Sequence, residues 1–195
     1  MNVRDRIINI LKAPRREWDV IAGEQTDAAA LYKNYIIPLA AIPPVAQYIG
    51  MAAIGISVVG LRVRYPIVSG LVHAIVAYVL ALVGVYVAAL VIDWLAPKFQ
   101  SQKSVIQALK LVAYSMTPMW LAGILMLVPV LGMLAIIAGL YGIYIFYLGV
   151  TPLMKTPADK VIPYMVVSAV VIIVIQIVIG AVVGLASPVS TPRLF

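Results

Sequence analysis

Long apolar runs, each closed by a charge, organise most of this chain. Between Lys33 and Arg62 lie 28 uncharged residues, between Arg64 and Asp93 another 28, between Lys110 and Lys155 44, and between Lys160 and Arg193 32. A helix crossing a bilayer needs about 20 mostly apolar residues, and a charge near the bilayer centre costs several kcal/mol. Each window is therefore long enough to span, and the 44-residue window is long enough for two. Pro129-Val130-Leu131-Gly132 near its middle supplies the Pro and Gly punctuation of a tight helical hairpin. The pattern predicts an all-α polytopic membrane protein. Its transmembrane domain, 35–186, holds five spans near 35–59, 67–95, 105–128, 131–149 and 163–186, and a short tail, 187–195, follows.

The first 34 residues have a different pattern. Val3, Ile7, Ile8, Ile10 and Leu11 fall on one arc of a helical wheel, while Asn2, Asp5, Arg6, Asn9 and Lys12 occupy the other side. That is the signature of an amphipathic helix lying on a membrane surface. Pro14 suits the first position of a second short helix, in which Trp18 and Ile21 face the same way. The expectation is that Trp18 sits at headgroup depth while Arg4, Arg6, Lys12, Arg15 and Arg16 meet lipid phosphate. A docking surface for a protein partner is the alternative. Asp27 is placed to cap a helix that runs on into the first span.

Composition agrees with the pattern. Of 195 residues 64% are hydrophobic and 11% charged, and the mean hydropathy is +1.09, where a soluble domain carries about 25% charge. The 14 Lys and Arg exceed the 7 Asp and Glu, but they lie between apolar runs. They are not clustered as on a nucleic-acid-binding face, so they point to anionic lipid and to topology. Placing the N-terminus in the cytoplasm puts Arg4, Arg6, Lys12, Arg15, Arg16, Lys33, Lys98, Lys103, Lys110, Lys155 and Lys160 inside, and Arg62, Arg64 and Arg193 outside. This 11 to 3 split satisfies the positive-inside rule, with the C-terminus non-cytoplasmic. The N-terminus has no signal-peptide pattern. With no cysteine there is no disulfide framework or thiolate nucleophile.

Small and polar residues inside the spans are the remaining candidates. Gly70, Ala74, Ala77, Ala81, Gly84 and Ala88 recur at steps of four and three, a small-residue seam that lets helix backbones approach closely. The seam serves either a neighbouring span or a second copy of the chain, as does the Gly180, Gly184 pair in the last span. His73 lies near the outer end of the second span and Asp93 at its cytoplasmic end, where Lys98 or a lysine of the fourth-to-fifth loop is placed to pair with it. Gln47 and Gln176 fall near the midplane, where an amide needs a partner: each other, or a carbonyl freed by Pro38, Pro43, Pro44, Pro118 or Pro163. Thr156 and Asp159 read as a capping box before the fifth span. Metalloprotease, hydrolase, Walker and Rossmann patterns are missing, as are paired intramembrane aspartates. The inventory calls for no enzyme, cofactor or metal.

The runs PRREWDVIAGE, LYKNYIIPLAAIPPVAQYIG and LYGIYIFYLGVTPLMKTPADKVIPY, with the terminal RLF, resemble the Yip family of Ypt/Rab-GTPase-interacting membrane proteins in its short bacterial inner-membrane form. The resemblance covers nearly the whole chain and implies five spans and a cytoplasmic N-terminus. For eukaryotic members it implies vesicle trafficking with Rab-type GTPases through a long cytoplasmic N-terminal region, which this chain lacks. For the bacterial form it implies no catalytic residues. The resulting expectation is a non-enzymatic inner-membrane protein that binds lipid or protein partners at its cytoplasmic face, with other membrane proteins or a second copy of the chain as further partners. A small transporter or channel with a polar path through His73, Gln47, Gln176 and Asp93 is the rival.

Overall fold

The computed structural model describes residues 2–58, 61–63 and 66–186; the side chains of residues 56–58, 61–63, 176, 179 and 182–186 lie outside that description. Helix α1 (Val3–Lys12) starts where the Asn2 side chain accepts a hydrogen bond from the Arg4 amide at 3.3 Å, the usual N-cap bond. Helix α2 (Pro14–Gly23) starts at Pro14, whose missing N–H is no loss in a first turn. Together they form a tight antiparallel hairpin ahead of the spans. Asp27 then caps the first span, its carboxylate accepting from the Ala30 amide at 2.6 Å.

Among the described residues, five helical segments are long and apolar enough to cross a membrane: Ala28–Ala53, Ile67–Phe99, Val105–Leu127, Pro129–Met154 and one beginning at Ala158. The first starts seven residues before the expected position, because Lys33 and Asn34 sit inside its second turn rather than before it. It is built in pieces, α3 (Ala28–Leu31), a π-turn (Tyr32–Ile36), α4 (Ile37–Ala40) and α5 (Ile42–Ala53). Pro38, Pro43 and Pro44 withhold the amides a continuous helix would need. The expected span end at 59 is corrected: the helix stops at Ala53, Gly55 takes φ 71°, and β1 (Ile56–Val58) pairs antiparallel with β2 (Leu61–Val63). Alternating Ile, Ser, Val and Leu, Arg, Val prefer this pleated hairpin over another helical turn. Among the described residues it is a small exception in an otherwise helical molecule.

The second span, α6 (Ile67–Leu95), closes in a 3-10 turn and stops at Gln100, which is left-handed at φ 56°. The third is α7 (Val105–Ser115), α8 (Thr117–Ala122) and 3-10 turns, broken before Pro118. Extended Val128 makes the hairpin turn, and the fourth span leads through Pro129–Leu134 into α9 (Ala135–Met154), which stops at left-handed Lys155 (φ 53°). The fifth is α10 (Val161–Ala186). The tail 187–195 and Arg64 lie outside the described residues.

The third span is the centre of the bundle: 61% of its most apolar window is buried, against 17–33% in the others. The other four carry exposed rows such as Ile75, Val79 and Val83, or Ile136, Ile137 and Leu140, which suit acyl chains. The core gathers at the N-terminal end, around Ile10, Trp18, Ile21, Tyr35, Leu111, Tyr114, Ile145 and Tyr164.

Candidate functional site

The hairpin α1–α2 is seated in the bundle. Its α2 packs along α9, and Trp18, 0% exposed, donates its indole N–H to the Ile145 carbonyl at 2.9 Å. The ring fits because position 149 is glycine: a Cβ there would stand 2.6 Å from Trp18 Cε2. Tyr141 donates its hydroxyl to the Leu11 carbonyl at 2.5 Å, fastening the turn between the two helices. Ile10 is buried, and Val3, Ile7 and Leu11 pack on the core. The apolar arc of α1 thus meets protein, and Ile8 alone of its five members is exposed.

Two of the residues assigned to lipid contact are corrected by this arrangement. Trp18 is inside the protein, not at headgroup depth, and Arg6 is 4% exposed. Arg6 donates one guanidinium nitrogen to the Glu17 carboxylate at 2.5 Å and the other to Glu24, and its Cζ lies 5.4 Å from the centre of the Tyr114 ring. Lys110, 2% exposed, donates to the carbonyls of Ile21 at 3.0 Å and Glu24 at 2.5 Å. These carbonyls end α2, so the ammonium stands at the negative end of the α2 dipole. Two cations and two carboxylates therefore balance within the hairpin's seat. Burying such a group gains little over apolar packing, but removing one member strands a charge at a cost of about 3–5 kcal/mol.

Glu17, Glu24, Lys110 and Tyr114 are the site residues that pattern reading passed over. A signal for Glu17 existed: Pro14, Glu17, Trp18 and Ile21 are the buried residues of α2 and follow helical i, i+3, i+4, i+7 spacing. An acid within such a stripe needs a buried partner.

A cavity of 310 Å3 lies where α1, the link from α2 and the first and third spans meet. Its wall includes Arg6, Glu24, Gln25, Asn34, Tyr35 and Tyr114. The Tyr35 hydroxyl is 2.7 Å from Thr117 Oγ1, and its ring meets Tyr114 edge-on at 4.7 Å.

The other basic candidates remain outside. Arg4, Lys12, Arg15 and Arg16 are exposed on the outer side of the hairpin, as are Lys33, Lys98, Lys103 and Lys155 at the same end of the bundle. Trp94, Tyr144 and Tyr147 are exposed there too, with Lys98 Nζ 4.3 Å from the centre of the Trp94 ring. In the second-span seam, Gly70, Gly84 and Ala88 are buried and Ala74, Ala77 and Ala81 half-buried. Gly180 is exposed, with open space where a Cβ would stand, and the surroundings of Gly184 lie outside the described residues.

The intramembrane polar residues do not come together in one described site. Asp93 is buried, and its partner is Lys103 at 3.6 Å rather than Lys98 or a fourth-to-fifth-loop lysine, because Lys98 turns onto Trp94. The second carboxylate oxygen of Asp93 has no hydrogen-bond partner among the described residues. His73 and Gln47 are half-buried on the second and first spans, and the Gln176 side chain lies outside the described residues. The capping reading of Thr156 is also corrected. Its hydroxyl pairs with Ser101 at 2.8 Å, tying together two loops at the basic end. Among the described residues, no three His, Asp or Glu side chains gather to hold a metal ion.

These features define a polytopic membrane protein of five spans whose N-terminal hairpin is part of the folded core. The chain belongs to the Yip1 domain family, which matches residues 8–180. It is 30% identical over 141 residues to the inner membrane protein YohC of Escherichia coli strain K12, covering 70% of this chain and 72% of that one. The YohC of Escherichia coli O6:H1 shows the same identity and coverage. No solved structure matches the chain.

Proposed function

We propose that this Yip1-family protein is a non-enzymatic inner-membrane component that gathers anionic lipid at a basic cytoplasmic face, with the N-terminus inside. The observation that carries this reading is the sidedness of the hairpin: its apolar arc is spent on the bundle, while Arg4, Lys12, Arg15 and Arg16 remain exposed beside Lys33, Lys98, Lys103 and Lys155. The likeness to an inner membrane protein supports the location. The 11 to 3 division of basic residues supports the orientation. Each basic residue near an anionic surface contributes about 1 kcal/mol of attraction, screened within a Debye length of about 8–10 Å. The transporter rival gains less support, since the cavity wall includes none of His73, Gln47 and Asp93.

The full chain is the proper test material, because an excised hairpin would expose Trp18 and Arg6. In nanodiscs of mixed phosphatidylglycerol and phosphatidylcholine, the lipid shell around the protein should be enriched in phosphatidylglycerol. Joint replacement Lys12→Gln, Arg15→Gln and Arg16→Gln should remove most of that enrichment, and so should high salt. An unchanged shell would sink the lipid reading and leave this face to a protein partner.

A further inference from the structure

We propose that the 310 Å3 cavity beneath the hairpin receives a zwitterionic ammonium–phosphate headgroup of the phosphoethanolamine class. The cavity lies at the small end of ligand sites, which run from about 300 to 1,000 Å3, and so suits a headgroup rather than a whole lipid. Tyr114 in its wall is nine residues inside the third span, about 14 Å along the helix at 1.5 Å per residue. Val3, Arg6, Glu24, Gln25 and Thr26 of the same wall belong to the hairpin and its link, ahead of the first span.

Charge decides the class. The seat already balances Arg6 and Lys110 against Glu17 and Glu24. A ligand with net charge would bring an uncompensated charge into a partly desolvated space, and that is costly. A zwitterion brings none. The wall also offers both kinds of partner. Arg6 has five N–H donors, two of them engaged with Glu17 and Glu24, so the rest are available to phosphate oxygens. The Tyr114 hydroxyl, without a hydrogen-bond partner among the described residues, is a further donor. Glu24, whose side chain is 35% exposed, keeps acceptor capacity for an ammonium, and the Gln25 and Asn34 amides add oxygen and N–H groups on the same wall. This site is separate from the exposed basic face and does not depend on what that face binds.

The test is lipid retention by the full-length protein released from nanodiscs and weighed intact, with phosphatidylethanolamine, phosphatidylcholine and phosphatidylglycerol offered in equal amounts. One phosphatidylethanolamine should be retained at least tenfold over phosphatidylcholine, whose trimethylated ammonium has no N–H to give to Glu24. Tyr114→Phe should lower that retention severalfold while the protein stays folded. Ala30→Phe, which fills the cavity from the first span, should abolish it. Arg15→Gln with Arg16→Gln should leave it intact even where phosphatidylglycerol enrichment is lost, which separates this site from the basic face. Glycerophosphoethanolamine distinguishes the sources: competition for the site identifies a soluble ligand, and failure to compete beside retained phosphatidylethanolamine identifies a lipid. Equal retention of phosphatidylethanolamine and phosphatidylcholine overturns the proposal, as does undiminished retention in folded Tyr114→Phe and Ala30→Phe.

Discussion

Replacing Gly149 by alanine puts the seating of the hairpin under direct strain. The new methyl carbon would stand 2.6 and 2.7 Å from Trp18 Cε2 and Cζ2, and 2.7 Å from Leu111 Cδ1. Carbon atoms pack best at about 3.5–4.0 Å, so the indole must retreat by roughly 1 Å. It has little room to do so, being 0% exposed with its N–H held 2.9 Å from the Ile145 carbonyl. Overpacking costs about 1–3 kcal/mol and the weakened hydrogen bond about 1 more. Alanine's better helix propensity returns about 0.5–1 kcal/mol. The net effect should be a loss of about 1–3 kcal/mol. Gly139→Ala, on the same helix, is the matched control: its methyl would meet Met119 Sδ at 3.5 Å and Cε at 3.6 Å, ordinary contact distances. That variant should be neutral or slightly more stable. Reversible unfolding of the full chain in mild detergent measures both, and hydrogen exchange over residues 3–23 should rise in Gly149→Ala alone. If Gly149→Ala proves as stable as Gly139→Ala, with protection of the hairpin unchanged, the buried seat described for Trp18 is wrong.

Lys110→Met should loosen the end of α2 and strand the negative charge of the carboxylates, at a cost of about 3 kcal/mol or more, seen as lower thermal stability and faster proteolysis between residues 1 and 27. Arg6→Gln should cost about 3–5 kcal/mol, whereas Arg4→Gln, two residues away but exposed, should fall within about 0.5 kcal/mol in the same unfolding assay. In the second span, Ala88→Leu should destabilise by about 1–3 kcal/mol and Ala77→Leu by less, because Ala88 is 5% exposed and Ala77 only half-buried. Reporter fusions should place the loop at Lys103 in the cytoplasm and the C-terminus on the opposite side; a cytoplasmic C-terminus would refute the proposed orientation.

The spans were readable because hydrocarbon punishes charge so heavily that windows between charges nearly coincide with helices. Lys110 marks where this logic fails. In the sequence it is the edge of an apolar window, yet it sits on the sixth residue of α7, satisfied by two carbonyls from a segment about 90 positions earlier. The N-terminal pattern misled for a related reason. An apolar arc opposite a charged one looks the same whether the arc meets acyl chains or a neighbouring helix. What separates the cases is a set of partners at Lys110, Tyr141, Ile145 and Gly149, and no local periodicity reports contacts at such separations. The exposed basic residues were legible because charge and sidedness are local properties. The cavity was not, since its wall comes from α1, the link after α2 and two spans.

The 127-residue separation between Trp18 and the carbonyl that receives it also sets a schedule for biogenesis. Translation proceeds at roughly 5–20 residues per second, so about 6–25 s pass between the synthesis of Trp18 and that of its seat. Until the fourth span has been made and inserted, the hairpin lacks the α9 wall that receives Trp18 and the Tyr141 hydroxyl that fastens its turn. During that interval a membrane surface suits an amphipathic, positively charged segment whose seat is incomplete. The pattern that looks like a permanent surface anchor then serves as a holding position, keeping the N-terminus beside the bilayer until the last part of its docking site is made.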